Sequence, residues 1–142
     1  MSVNENKVAF ISGGNRGIGL ETAKKLGELG ITVIIGARDI SKGKTAASAL
    51  VSSGIKADAI YFDANDAASA NNVYAYIDQN FGKLDILVNN AGANHEQLMG
   101  KNNASTVSKE ILHDTFQTNL FSVIEITQKL LPLIHKASQD VL

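Results

Sequence analysis

The chain has 142 residues, 44% of them hydrophobic and 19% charged, and its net charge is −1. That is one domain's worth of globular sequence, and it lacks the basic blocks and aromatic–basic interleaving of a nucleic-acid or anionic-membrane partner. It contains no cysteine, which excludes disulfides and thiolate metal sites and fits a reducing compartment.

The first seven residues are polar and lack the apolar core of a signal peptide. No apolar run approaches the ~20 residues needed to cross a bilayer. A cytoplasmic protein is therefore expected. Lys7–Ile11 is short, apolar and β-favouring, as a buried parallel strand should be. Ser12-Gly13-Gly14-Asn15-Arg16-Gly17-Ile18-Gly19 follows, and then an amphipathic run in which Ile18, Thr22, Leu26 and Leu29 recur at helical spacing. Strand, glycine-rich turn, helix is the context of a dinucleotide site. Gly13 lets the chain turn sharply, Gly17 leaves no Cβ between backbone and pyrophosphate, and Gly19 lets helix and strand approach closely. The free N–H groups of the helix start face the phosphate charge. By itself such a loop is also compatible with an ordinary tight strand-to-helix turn.

Gly30 stops the first helix, and Ile31–Ile35 reads as a second buried strand ending in a Gly36-Ala37-Arg38-Asp39 turn. A second helix is expected from Ser41 to Ser53, with Ala46, Ala47 and Leu50 inward and Gly54 closing it. Lys56–Phe62 alternates enough for a third strand. Asn65 or Asp66 can cap a third helix that buries Ala70, Val73, Tyr74 and Ile77 and ends at Phe81-Gly82. Leu84–Val88 is a fourth strand, running into Asn89-Asn90-Ala91-Gly92. Ala93 to Ser105 reads as loop. A long helix from Thr106 to Leu131 stacks Leu112, Phe116, Leu120, Val123, Thr127 and Leu130, with Pro132 marking its end.

This β-α-β-α-β-α-β-α alternation specifies an α/β fold, a Rossmann-type doubly wound parallel sheet with helices on both faces. Strand order 3-2-1-4 puts the switch point between strands 1 and 4, where ligands bind outside the strand carboxyl ends. The glycine loop, Arg38, Asp63 and Asn89–Gly92 all fall at such ends.

Arg38 lies about twenty residues past the loop, where the residue facing the adenosine ribose is expected. An arginine fork there matches a 2′-phosphate, and Arg16 offers a second charge, so NADP is favoured over NAD. Both are alternatively solvated surface arginines, and Asp39 beside Arg38 could turn inward instead. Asp63 is either an adenine-contacting acid or a polar strand end. Asn89 and Asn90, costly to bury unpaired, point to cross-links between neighbouring loops. Asn119, mid-helix among apolar neighbours, reads by itself as a helix–helix hydrogen bond. His95, His113 and His135 lack the spacing of a metal site, and none is expected.

Together Ser12–Gly19, Ala37-Arg38-Asp39, Asp63, Asn89-Asn90-Ala91-Gly92 and Thr118-Asn119-Leu120 resemble, in register, the successive motifs of the short-chain dehydrogenase/reductase family. The family opens on Thr-Gly-x-x-x-Gly-x-Gly, with Ser12 here in place of threonine. Gly14–Leu20, the Ala-Arg-Asp turn and Leu130–Ile134 look most like its NADPH-using carbonyl reductases. The resemblance implies that Gly13, Asn15, Arg16, Gly17, Ile18 and Gly19 hold the pyrophosphate and adenosine side. It places Arg38 on the 2′-phosphate, Asp63 and Ala64 on the adenine, and Asn90, Ala91 and Gly92 on the ribose. Asn119 matches the active-site asparagine, which helps organise a water near the catalytic lysine. The implied substrate is a small carbonyl or alcohol, with self-association open.

One departure stands out. In the family a serine ends the fifth strand and Tyr-x-x-x-Lys lies on the next helix. Here the residue four past Tyr61 is Asn65, past Tyr74 it is Asp78, and past Tyr76 it is Asn80. Residues 1–142 are thus expected to form a single, incomplete dinucleotide-binding domain, truncated before the fifth strand. Its fourth strand would be an exposed edge and its long helix would lack apolar cover. The expected function is the cofactor-binding part of an NADP(H)-dependent carbonyl reductase. The alternatives are a non-catalytic NADP(H)- or partner-binding module and an inactive truncation product.

Overall fold

The computed structural model describes residue 4, residues 6–91 and residues 108–137. In chain order they form β1 (Val8–Ser12), α1 (Gly17–Glu28), β2 (Thr32–Ala37), α2 (Ile40–Ser52), β3 (Ala57–Tyr61), α3 (Ala67–Asn80) and β4 (Ile86–Val88). Then come α4 (Lys109–Phe116), a π-helical turn (Gln117–Phe121) and α5 (Ser122–Ala137). The strands form one parallel sheet in the order β3-β2-β1-β4, as the alternating pattern predicts. Phe10 on β1 sits level with Ile34 on β2 and Leu87 on β4.

Every residue of β1 is buried, because a central parallel strand is covered on both faces. Its side chains divide by parity. Ala9 and Ile11 join Val33 and Ile35 under α1 and α2, packing with Ala23, Ala46, Ala47 and Leu50. Val8, Phe10 and Ile34 face the other way, against Val73 and Ile77 of α3 and Ile126, Leu130 and Leu133 of α5. Fully burying each such leucine or isoleucine stabilises the fold by about 1.5–3 kcal/mol. The helix starts are capped from the sequence: Asp39 accepts from the Lys42 N–H at 3.2 Å, and Asp66 from the Ala68 N–H at 3.1 Å. Helices α1 and α2 end just before Gly30 and Gly54, as expected.

Several sequence expectations are corrected. The inward face of α1 is Gly19 and Ala23, flanked by Leu20 and Leu26, whereas Ile18 and Leu29 are exposed. The helix crosses so close to the glycine loop that only small residues fit beneath it. Gly36 and Ala37 belong to β2, so the turn begins at Arg38. The long helix is interrupted by the π turn, and its buried face is Thr118, Ser122, Ile126, Leu130 and Leu133. Leu112, Phe116 and Leu120, expected inward, are exposed. Pro132 lies inside α5 rather than at its end. Proline removes one backbone bond on the exposed side, while burial of Leu130 and Leu133 and the Leu84 N–H bond to the Leu133 carbonyl hold the last turn. The expected loop from Ala93 to Ser105, with His95 and Gly92, and the helix start at Thr106 lie outside the described residues. Helix α4 begins at Lys109, capped by Ser108, whose hydroxyl accepts from the Ile111 N–H at 3.1 Å.

Candidate functional site

The carboxyl ends of all four strands open into one cleft of about 430 Å³. Its floor is the glycine loop. Gly13 turns at φ 65°, and its N–H donates to the Gly36 carbonyl at 2.8 Å, which ties the loop across to β2. A side chain at Gly13 would press on the Ala91 backbone. At Gly17 the reverse holds: a Cβ would meet nothing within 4 Å, so the backbone there is open to the cleft. Arg16 is the extended residue ahead of α1 and supplies no side-chain cap. An arginine has no acceptor to give, so the first N–H groups of α1 keep their positive end toward the cleft.

The loop after β4 closes the cleft beside β1. The Ser12 hydroxyl accepts from the N–H groups of Asn90 and Ala91, both at 3.0 Å, and lies 3.4 Å from the Val88 carbonyl, to which it donates. Asn90 Nδ2 donates to the Gly13 carbonyl at 3.0 Å. Asn89 Nδ2 reaches Thr127 Oγ1 on α5 at 3.1 Å. The two asparagines therefore do bridge neighbouring segments, one to the glycine loop and one to the long helix.

Three cations edge the same cleft. Arg16 comes from the glycine loop, Arg38 from the end of β2, and Lys42 from the first turn of α2. None makes an ion pair among the described residues. Asp39 does not answer for them by turning fully inward, since one of its carboxylate oxygens caps α2. On the far side, Asp63 uses Oδ1 to accept from the Asn65 N–H at 2.8 Å. The buried Ser69 hydroxyl braces that loop, accepting from the Asp63 N–H at 3.1 Å and lying 2.6 Å from the Asp66 carbonyl.

The structure thus brings Gly13, Asn15, Arg16, Gly17, Arg38, Asp63, Ala64, Asn90 and Ala91 together around one cleft. Two of the expected cofactor-binding residues lie elsewhere. Gly19 is buried beneath the loop, and Ile18 stands 80% exposed outside it. Gly92 is outside the described residues. Asn119 is an exposed residue of the π turn, next to Thr118, which does line the cleft. Sequence reasoning missed Lys42, Phe62, Asn65 and Thr118. Lys42 was readable as the cation one helical turn past Arg38. Phe62 packs edge-on to Phe10 at 5.9 Å beneath the β3 loop. Thr118 stands in the Thr118-Asn119-Leu120 motif without an expected role in the cleft, which it reaches only through tertiary packing.

Among the described residues no group of three His, Cys, Asp or Glu side chains could hold a metal ion, and no helix is long and apolar enough to cross a membrane. A glycine cradle open at Gly17, a helix start without a side-chain cap and three cations without ion-pair partners among the described residues fit a phosphate-bearing dinucleotide.

Comparison with known proteins points the same way. The short-chain dehydrogenase/reductase 1 of Saponaria officinalis is 33% identical over 148 residues, covering 92% of this chain and 49% of that protein. An actinorhodin polyketide ketoreductase solved with NADPH superposes with a TM-score of 0.85 at 29% identity, covering 98% of this chain and 51% of that one. RhlG of Pseudomonas aeruginosa, solved with NADP, gives 0.82 at 32% identity, with 92% and 49% covered. The chain spans about half the length of the curated relatives it matches. The sequence pattern of the short chain dehydrogenases matches residues 7–141, and the chain belongs to that family.

Proposed function

We propose that the cleft binds NADP(H) and that the chain supplies the cofactor-binding part of a carbonyl reductase acting on a small ketone or aldehyde. The observation that carries this reading is the trio Arg16, Arg38 and Lys42 at the cleft edge, free of ion pairs among the described residues. A 2′-phosphate is the dianion such a trio suits, while the 2′-hydroxyl of NAD gives it nothing to neutralise. Gly13 and Gly17 with the start of α1 receive the pyrophosphate. Asp63 and Ala64 border the adenine, and Asn90 and Ala91 border the ribose. The NADP(H)-bound ketoreductase and RhlG structures agree with this choice of cofactor. When bound, the nicotinamide supplies the hydride that reduces a carbonyl carbon. Asn119 is the one residue of this chain assigned to the reacting end, where it would orient a water.

The test is calorimetric titration of the chain with NADPH and with NADH. The expected result is saturable NADPH binding at least about tenfold tighter than NADH, with the difference shrinking as salt rises. Equal affinities, or no saturation with either, overturn the cofactor reading.

A further inference from the structure

One contact joins the adenosine end of the cleft to the helix that carries Asn119. Thr118 is 5% exposed, sits within the π turn, and donates from Oγ1 to Asn65 Oδ1 at 3.2 Å, across 53 positions of sequence. Both residues line the cleft. On the Asn65 side, the backbone is fixed by Asp63 Oδ1 and by the Ser69 brace. On the Thr118 side, the Thr118 carbonyl accepts from the Ser122 hydroxyl at 2.5 Å, which ties the π turn to the start of α5.

A π turn holds one residue more than the α-helix around it, and such turns occur mostly as single bulges within α-helices, frequently at functional sites. Converting it to α-helix would rotate the preceding segment by about 100° and carry the Thr118 hydroxyl away from Asn65. The bond is therefore available only when the helix keeps its π register. It is also strongest when the loop bearing Asn65 is held still.

We infer that the Asn65–Thr118 bond is the positioning contact through which an adenosine moiety, bound against Asp63 and Ala64, fixes the π turn and the adjacent Asn119. This inference rests on the proposed NADP(H) reading of the cleft. Adenosine against the β3 loop restricts Asn65, and the restricted amide oxygen favours the one helix register in which Thr118 meets it. A nucleotide that holds Asn65 thus favours the observed π register over an α-helical one, the differential interaction that a shift of population requires. Asn65 and Thr118 act as positioning residues.

The test uses the full chain with 2′,5′-ADP, which carries the adenosine and the 2′-phosphate but no nicotinamide. Hydrogen–deuterium exchange is followed at residues 117–122 and, as a reference for global stabilisation, at 128–136. At saturation, wild type and Thr118→Ser, which keeps the hydroxyl, should show extra protection of 117–122 over the reference by about tenfold, within the usual range for coupled sites. Thr118→Val should lose that extra protection. Asn65→Ala, made in an exposed loop, should lose it too and serves if the valine variant does not fold. No extra protection in wild type, or equal protection in both variants, overturns the inference while leaving nucleotide binding intact. Failure of 2′,5′-ADP to bind at all removes the cofactor reading and this inference with it.

Discussion

Asn90 and Gly13 are joined by a side-chain amide donating to a backbone carbonyl at 3.0 Å, and Gly19 lies directly beneath that bond. A methyl group at Gly19 would overlap both the Gly13 oxygen and the Asn90 amide. The glycine is therefore set by a three-way contact between loop, helix and the segment after β4. The same bond fixes the loop carbonyl, while the Gly13 N–H ties the loop to Gly36 of β2.

Gly19→Ala should consequently destabilise the chain, although alanine gains about 1 kcal/mol of helix propensity over glycine. Neither neighbour is the free end of a flexible chain, so the overpacking cost of about 1–3 kcal/mol wins. Urea unfolding should show a lower midpoint, and NADPH titration should show weakened binding. An unchanged midpoint would mean that the loop yields freely.

Ser12→Ala leaves the N–H groups of Asn90 and Ala91 without the oxygen they share, at a strand end where Ser12 is 2% exposed. Losing that acceptor should cost about 1–3 kcal/mol. It should appear as a fall in urea midpoint at unchanged slope. Asn89→Ala removes only the bond to Thr127 on an exposed side chain and should cost about 0.5–1 kcal/mol.

Arg38→Ala should lower NADPH affinity by roughly ten- to a hundredfold, the loss of about 1.5–3 kcal/mol for a hydrogen bond to a charged group. NADH affinity should stay within about threefold, since NAD lacks the phosphate. Lys42→Ala and Arg16→Ala should move in the same direction by less, as each is one of three charges. The check is the ratio of the two affinities in each variant. A ratio unmoved by all three substitutions would assign the cations to solvent.

Asp58 on β3 accepts from Lys44 Nζ at 2.7 Å, Tyr76 Oη at 2.8 Å and the Ala59 N–H at 2.7 Å. Burial acts to raise its pKa, but the bond from Lys44, then those from Ala59 and Tyr76, outweigh it and hold the carboxyl below its ordinary value. Burial first, and Asp58 second, push the Tyr76 phenol up to about 12. A depressed carboxylate contributes stability that is present above its unfolded value of about 4 and lost as pH falls through its folded value. A raised phenol contributes stability present below about 10 and lost as pH rises through its folded value. Asp58→Asn should therefore be less stable than wild type near pH 7, and the gap should close at about pH 2. Chemical unfolding of both proteins across that range measures it, and a gap independent of pH would exclude the charge as its source.

The residues by themselves determined the alternation of strands and helices, because each segment's period and its glycine, aspartate and asparagine punctuation are local properties. Arg16, Arg38, Asp63 and Asn90 were legible as site residues for the same reason: each sits just past a predicted strand, and parallel strands gather their carboxyl ends on one edge. Which helix face turns inward was decided by the partner surface. Ile18 looked like the inner residue of α1, yet Gly19 and Ala23 pack there, since the glycine loop and Asn90 leave no room for more. The apolar residues of the long helix fall on two faces, and the π turn rotates one against the other. Thr118 could join Asn65 across 53 positions only after the sheet and α5 had packed. Such a contact leaves no trace in the pattern of either segment, so tertiary structure alone placed it.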